Sequence, residues 1–497
     1  MTDARWPTML ERAWSAVAGE TAVPAELHVE GPPTGELPST LPVADAALAC
    51  TATALLAAAA LAVQRSGGRS DNGRRVVSLR AEQVAAAVRS EAYLRVDGET
   101  LGPGFAPLSR FWRAADGWVR THANYPWHRQ ALLAALRLDA EPSLDAEPSV
   151  DAVANAIAAL PATEVEDLVV AAGGVAAALR RPEQWLAHPH GAVVAGQPLV
   201  ATTHHPNGAP RRRPASGRGT PNAGGPERSA APAAGTSARE LPAAGVRVLD
   251  LTRVIAGPVA TRYLSALGAD VLRLDPPDRP ELPLHQYDGL VGKRSALLDA
   301  ATPDGLQRLH ELLAGADVVV HGYRPGALAR FGLDGAELAR RHPGLVVVAV
   351  SAWGSRGPWG DRRGFDSIVQ VASGIAARES PDGDQPDARP GALPCQLLDH
   401  GTGYLCAAAA LDGLRRQAEV GGTWVRELSL ARTAHWLVGE PATERRPAVP
   451  ATDASWLAEV PSTAGPVTTV TPPGSLDGTP LRWPDLPLRY GTDAARW

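Results

Sequence analysis

Hydrophobic and polar positions follow two rhythms along this chain. Past residue 245, apolar runs of strand length alternate with amphipathic stretches of helix length. The runs are VRVLDL (246–251), ADVLRLD (269–275), ADVVVHG (316–322) and GLVVVAVSAWG (344–354). Residues 256–267, 304–314 and 334–341 carry helical spacing between them, with a shorter helix near 325–331. Such alternation predicts a parallel sheet with right-handed crossovers. Ligands of such sheets bind beyond the carboxyl ends of the strands. Those ends carry Thr252-Arg253-Val254, Arg273, Tyr323-Arg324-Pro325-Gly326 and Ser351-Ala352-Trp353-Gly354. No GxGxxG follows the first strand and no GxxxxGK motif occurs, which counts against dinucleotide and Walker-type sites.

The first two hundred residues read differently. Residues 1–42 are helix-like, then rich in Pro and Gly, and carry no assignable chemistry. Residues 46–63 are apolar on every side and long enough to raise a membrane reading. They are Ala-rich rather than Leu-rich, contain Thr51 and Thr53, and follow Asp45, so a buried helix is expected. Residues 93–195 form a compact mixed region: a strand or hairpin, an amphipathic helix from Pro126, then short helices punctuated by Pro161, Gly173-Gly174 and Pro182. Trp112, Trp118, Trp127 and Trp185 read as core. His122, His128, His188 and His190 are irregularly spaced without an obvious carboxylate beside them, so they read as structural or solvated and no metal site is expected. From 206 to 244 the composition turns to Pro, Gly, Ala and Ser, a disordered linker and the clearest domain boundary.

Composition narrows the class. The 497 residues leave room for several domains, and 45% hydrophobic with 20% charged residues is ordinary for a globular chain. A net charge of −5 gives no footprint for nucleic acid or membrane. Three cysteines (Cys50, Cys395, Cys406) without metal spacing point to a reduced, cytoplasmic chain, and the polar opening with Pro7 gives no signal-peptide pattern. Lys293 is the only lysine, against 48 Lys plus Arg in total. It marks either a position that wants a compact ammonium or a chance survival.

One stretch occurs twice. PVADAALACTATALLAAAAL, a polar turn and VVSL in the first half match LLDHGTGYLCAAAAL, a Gly-rich turn and RELSL in the second. Asp45 falls opposite Asp399, and Ser78 opposite Ser429, the signature of an internal duplication. Locally, Asp399 reads as an acid delivered to the first turn of a helix, where it caps free N–H groups.

The segments VRVLDLTRVIAGPVATRYLSALGADVLRLD, GKRSALLD, ADVVVHGYRPGALARFGL, GSRGPWGDRRGFDSIVQVASG and PCQLLDHGTGYLCAAAAL together resemble the class III CoA-transferases, the group with formyl-CoA and carnitine CoA-transferases and, as cousins, the 2-methylacyl-CoA racemases. The resemblance covers about 245–437 in the family's own order. It implies an α/β fold, with a Rossmann-like parallel sheet domain plus a smaller mixed α/β domain. Residues 93–195 resemble the family's small domain, which normally follows the segment resembling 397–437 but here precedes it. The layout implied is permuted or partly duplicated: a partial large-domain copy (1–92), a small domain (93–205), the linker (206–244), a Rossmann-like CoA-binding and catalytic domain (245–441), and a tail returning to the large domain (442–497).

The resemblance also implies a chemistry. Asp399 matches the nucleophile, which attacks an acyl-CoA and passes through an aspartyl-CoA thioester, with Gly401 and Gly403 leaving N–H donors open to the oxyanion. Val254, Ala256, Arg273, Lys293, Tyr323, Arg330 and Arg363 match CoA-binding positions. Coenzyme A is then a substrate with a carboxylic acid as its counterpart, and no permanent cofactor is implied. A homodimer is compatible with the family. Departures exist: Gly322 stands where asparagine is usual, no Gly-rich lid is evident, and Gly364-Phe365-Asp366 lacks the histidine of the racemases. Racemisation needs an acid/base pair across the α-carbon, so that lack argues for transfer. A racemase or isomerase, and a non-catalytic CoA-binding scaffold, are the rival readings.

Overall fold

The computed structural model describes residues 5–31, 36–67, 75–138, 149–211, 241–383, 385, 387–442 and 454–497. Most of the expected linker, 212–240, and the middle of the first polar turn, 68–74, lie outside them. The first half contains α1 (Trp6–Ala18), β1 (Glu26–Glu30), the long α2 (Val43–Arg65), β2 (Val76–Arg80) and the short α3 (Ser90–Tyr93). Then come β3 (Phe111–Arg113), β4 (Trp118–Thr121), β5 (Ala176–Ala178) and β6 (Ala201–His205). The second half runs β7 (Arg247–Leu251), α4 (Ala256–Ala266), β8 (Asp270–Asp275), β9 (Arg294–Leu297), β10 (Val318–His321) and β11 (Val346–Ser351). It closes with α5 (Asp366–Ala372), α6 (Leu397–Val420), β12 (Thr423–Ser429), β13 (Ser475–Leu476) and β14 (Thr479–Pro480).

Among the described residues the largest sheet has seven strands in the order β9-β8-β7-β10-β11-β12-β6. The first six are parallel, and β7 sits between β8 and β10, so the crossovers reverse direction there. This is a Rossmann-like α/β sheet whose binding crevice opens beyond β7 and β10. Buried Val and Leu fill its strands because helices cover both faces.

The last strand of that sheet comes from the other half. β6, at the end of the stretch expected as a small domain, lies antiparallel to β12, with His204 opposite Trp424 and their rings stacked at 4.2 Å. The tail returns the exchange: β13 lies antiparallel to β2, with Ser475 opposite Ser78. Since β1 is parallel to β2, the trio β1-β2-β13 repeats the arrangement of β11-β12-β6. Each half thus supplies a strand to the other's sheet.

The duplicated helices form the centre. α2 and α6 are apolar on nearly every face, and such a helix is stable only when surrounded. Their alanines let the two backbones approach, and both are buried in one continuous core with α4. α2 has the length and apolar composition of a membrane span, with mean hydropathy 2.1, but 89% of its most apolar stretch is buried in protein. Asp45 and Asp399 are each the third residue of their helix, after residues of near-identical backbone (Pro42 at φ −75, ψ 60; Gln396 at φ −78, ψ 61). The smaller sheet β3-β4-β5 has its own core with the helices Pro126–Ala135, Val150–Ala158 and Ala162–Ala171.

Candidate active site

The crevice beyond β7 and β10 is a cavity of about 680 Å³. A second cavity of about 230 Å³ lies beside it, and Val254, Phe365 and Asp399 wall both. Asp399 is only 6% exposed. It is not the cap of its own helix. The Oδ2 of Asp366 accepts the Asp399 N–H at 3.0 Å, so α5 supplies the carboxylate that satisfies the start of α6. Among the described residues no hydrogen bond engages the Asp399 side chain, which leaves it available to the cavities.

Electrostatics around Asp399 are unusual. Burial, then the charges of Asp366 and Glu91, push its carboxyl well above the ordinary range. Burial likewise raises Asp366 to about 6, against the hydrogen bonds it receives from Gln370 and the Asp399 N–H. Glu91, from α3 in the first half, goes the other way. Burial pushes it up, but the charge and hydrogen bond of His400 outweigh that and hold it near 2. His400 Nε2 meets Glu91 Oε1 at 2.9 Å, so the residue after Asp399 is clamped by the other half of the chain.

Val254 marks the junction of the cavities. Its φ of +67 is strained for a β-branched residue, and Glu281 holds it there by accepting its N–H at 2.9 Å. Glu281 also accepts the Tyr125 hydroxyl and Arg273 Nη2, tying the smaller sheet's region to the large one. From that region Tyr125, Trp127 and His128 wall the large cavity. His122 lies flat on Phe365, with ring centroids 3.7 Å apart and planes within 8°.

Of the expected CoA-contacting residues, Val254, Ala256, Tyr323, Arg330 and Arg363 line the large cavity. Two do not. Lys293 is buried, its Nζ bonded to Asp250 Oδ2 at 2.8 Å, Thr261 Oγ1 at 2.5 Å and Pro258 O at 3.1 Å. The compact ammonium is there, but it clamps β7 to α4. Arg273 is equally buried and forks onto Asp275, with Glu281 at 3.2 Å. Arg273 points into the protein because its strand is covered on both faces, and Lys293, just before β9, turns inward to Asp250.

The glycines need a correction as well. The ladder of α6 begins with His400 N–H to Gln396 O at 3.0 Å, so the Gly401 and Gly403 N–H groups lie within it and are not open to an oxyanion. The smallness of Gly403 serves packing, whereas Gly401 has room for a Cβ at ordinary contact distance. A Cβ on Gly403 would stand 2.5 Å from the Ala256 carbonyl oxygen, and one on Gly401 3.4 Å from Cys50 Sγ.

Sequence reasoning missed several contributors. Arg279 and Arg362, together with Arg253 and Arg324 from the strand ends, join Arg330 and Arg363 around the large cavity. Arg363 is pushed down by burial and then by Arg324 and Arg279, the mark of cations crowded together. Arg324, Arg330 and Arg363 ion-pair with no carboxylate among the described residues. Such convergence suits a polyanion. Asp366 and Phe365 could have been found, since the GFD motif was noted. Glu91, His122 and Tyr125 could not, because nothing local marks a residue that meets the site only through folding.

Known proteins resemble both halves of the chain in sequence. The model of the family described as CoA-transferase family III matches residues 17–237 and again 243–459, consistent with a duplicated arrangement. Acetyl-coenzyme A transferase nodX of Hypoxylon pulicicidum is 34% identical over 212 residues, 42% of this chain and 35% of that one. The probable fatty acyl-CoA transferase Rv3272 of Mycobacterium tuberculosis is 33% identical over 192 residues, covering 36% and 48%. Succinyl-CoA–D-citramalate CoA-transferase of Chloroflexus aurantiacus is 31% identical over 197 residues, covering 37% and 48%. The chain thus spans half or less of the length of these relatives. A crystal structure of the Mycobacterium tuberculosis protein Rv3272 aligns with 39% of this chain and 55% of its own, at 31% identity and a TM-score of 0.35.

Proposed function

The chain belongs to CoA-transferase family III, and from that premise we propose that it moves CoA between an acyl-CoA and a carboxylic acid through a thioester on Asp399. The observation that carries this reading is the position of the Asp399 carboxylate, unbonded on the wall common to two cavities. One cavity is large and ringed by arginines, suited to the phosphates of CoA. The other is small and suited to the acyl group that CoA leaves or joins.

The steps balance without a net proton. An ionised Asp399 oxygen attacks the thioester carbonyl carbon, the C–S bond breaks, and a mixed anhydride forms with CoA thiolate released. The thiolate attacks Cγ of Asp399, the anhydride C–O bond breaks, and the first acid departs to leave the aspartyl-CoA thioester. An acceptor carboxylate then attacks Cγ, and the same two steps run backwards. One hard exchange is divided into easier ones. The start of α6 favours the ionised nucleophile, while burial keeps it poorly solvated and reactive once ionised.

The site takes parts from both halves, with Glu91, Tyr125 and His128 from the first and Asp399 with the arginines from the second. One site per chain, between 93–195 and the sheet domain, follows from that division. The test is intact-mass analysis of the full chain mixed with acyl-CoA donors. A CoA adduct that maps to Asp399 and is discharged by an added acid is expected; its absence across a donor panel defeats the reading. A second reading rests on His122, which brings an imidazole beside Phe365 where the racemases carry their own histidine. It requires deuterium to enter the α-carbon of a 2-methylacyl-CoA without any acceptor acid.

A further inference from the structure

Glu281 lines neither cavity, yet it fixes a wall that both share. It follows β8 and is 3% exposed. Its Oε1 accepts the Tyr125 hydroxyl and the Leu282 N–H, and its Oε2 accepts the Val254 N–H at 2.9 Å and Arg273 Nη2 at 3.2 Å. These fill the acceptor capacity of an ionised carboxylate. Its own N–H donates to the Tyr490 hydroxyl of the tail at 3.0 Å. Burial pushes the Glu281 carboxyl up, but the charges of Arg273, His285 and Arg253 outweigh that and hold it near 2. The group is therefore ionised at any working pH.

Val254 needs that anchor. Among the described residues no other acceptor takes its N–H. A β-branched residue resists a φ of +67, so once released it returns to the usual negative range. That turn of the backbone swings its side chain, and the entry to α4, where both cavities meet Asp399. The carboxylate is planar, so its aim matters: Tyr125, from the first half, occupies one oxygen while the other faces Val254.

We propose that Glu281 is a positioning residue for the reaction at Asp399. By holding Val254 in its left-handed conformation it sets the passage between the two cavities, and Tyr125 aims it. The kinetic consequence rests on the transfer reading above; the hold on Val254 does not.

The test is Glu281→Met in the full chain. Formation of the Asp399 adduct at saturating acetyl-, propionyl- or succinyl-CoA is expected to slow about tenfold or more, because a displaced wall misplaces the thioester. Affinity for CoA, by calorimetry, is expected not to fall, since Arg253 lines the large cavity and loses a competing carboxylate at 3.7 Å. A merely loosened fold lowers both. Glu281→Gln keeps one oxygen for Val254 while its amide turns to the Tyr125 hydroxyl, and retains most of the rate. Adding Val254→Asn to Glu281→Met restores part of it, because asparagine adopts positive φ readily. Should Glu281→Met not fold, Tyr125→Phe leaves every charge in place and is expected to slow the adduct more than it weakens CoA binding. An unchanged rate, equal losses of rate and affinity, or no recovery with Val254→Asn overturns the proposal. A parent chain that forms no adduct defeats the transfer reading, and hydrogen exchange across 251–258 then decides this one. Faster exchange in Glu281→Met keeps the hold on Val254, and equal exchange removes it.

Discussion

The Asp399 amide donates to Asp366 Oδ2 at 3.0 Å, which places a second buried carboxylate against the proposed nucleophile. Two such groups cannot both be charged cheaply. Asp366 is raised by burial from 3.8 to about 6, so between about pH 4 and pH 6 the native chain holds a proton that the unfolded chain has released. That contribution to stability is present at low pH and is lost as pH rises through 6. Asp366→Asn keeps an acceptor for the N–H and removes the titration. Its urea midpoint is expected to lose this fall across the window, and its rising activity limb to move to lower pH as Asp399 ionises more readily. A profile identical to the parent's would separate the two carboxylates.

The duplicated acids have different tasks. Asp45 accepts the N–H groups of Arg5 and Trp6, both at 2.9 Å, and caps α1. Asparagine caps nearly as well, so Asp45→Asn is expected to change stability by less than about 1 kcal/mol and leave turnover intact. Asp399→Asn is expected to fold normally and to lose both transfer and the mass adduct. Retained transfer in the second variant rules out the aspartyl route.

Lys293 gives an outcome opposite to a phosphate contact. Lys293→Met leaves Asp250 buried and short of its cation, which costs about 3–5 kcal/mol. The folded fraction is expected to bind CoA as the parent does, because Lys293 does not wall the cavity. Denaturant midpoints with a CoA titration check both parts, and an affinity loss at unchanged stability contradicts the assignment.

The exchanged strands govern how the halves behave apart. Alone, 1–205 lacks a mate for β6, and 243–497 lacks β6; each also exposes the apolar Ala-rich part of a long helix that the other half covers. Each is expected to aggregate and to be inactive, whereas co-expression recovers soluble, active material. In the intact chain the tether raises the local concentration of one half for the other to roughly millimolar. Full activity of 243–497 by itself would show that the first half contributes nothing to the site.

What the sequence settled by itself was local. Apolar runs of strand length spaced by amphipathic helices specify a parallel sheet, and an acid between a short apolar run and an Ala-rich helix specifies where Asp399 stands. The repeat of that pattern at Asp45 was legible for the same reason, since periodicity survives along the chain. Tertiary structure alone decided what each side chain faces. Lys293 and Arg273 were expected at a phosphate, yet packing buried both and paired them with the internal carboxylates of Asp250 and Asp275. Gly401 and Gly403 were expected to open N–H groups, but the helix consumed those groups, and close packing against Ala256 explains Gly403. Glu91 and Asp366 became neighbours of Asp399 only through folding, because charge interaction depends on distance and dielectric in space, and position along a chain encodes neither.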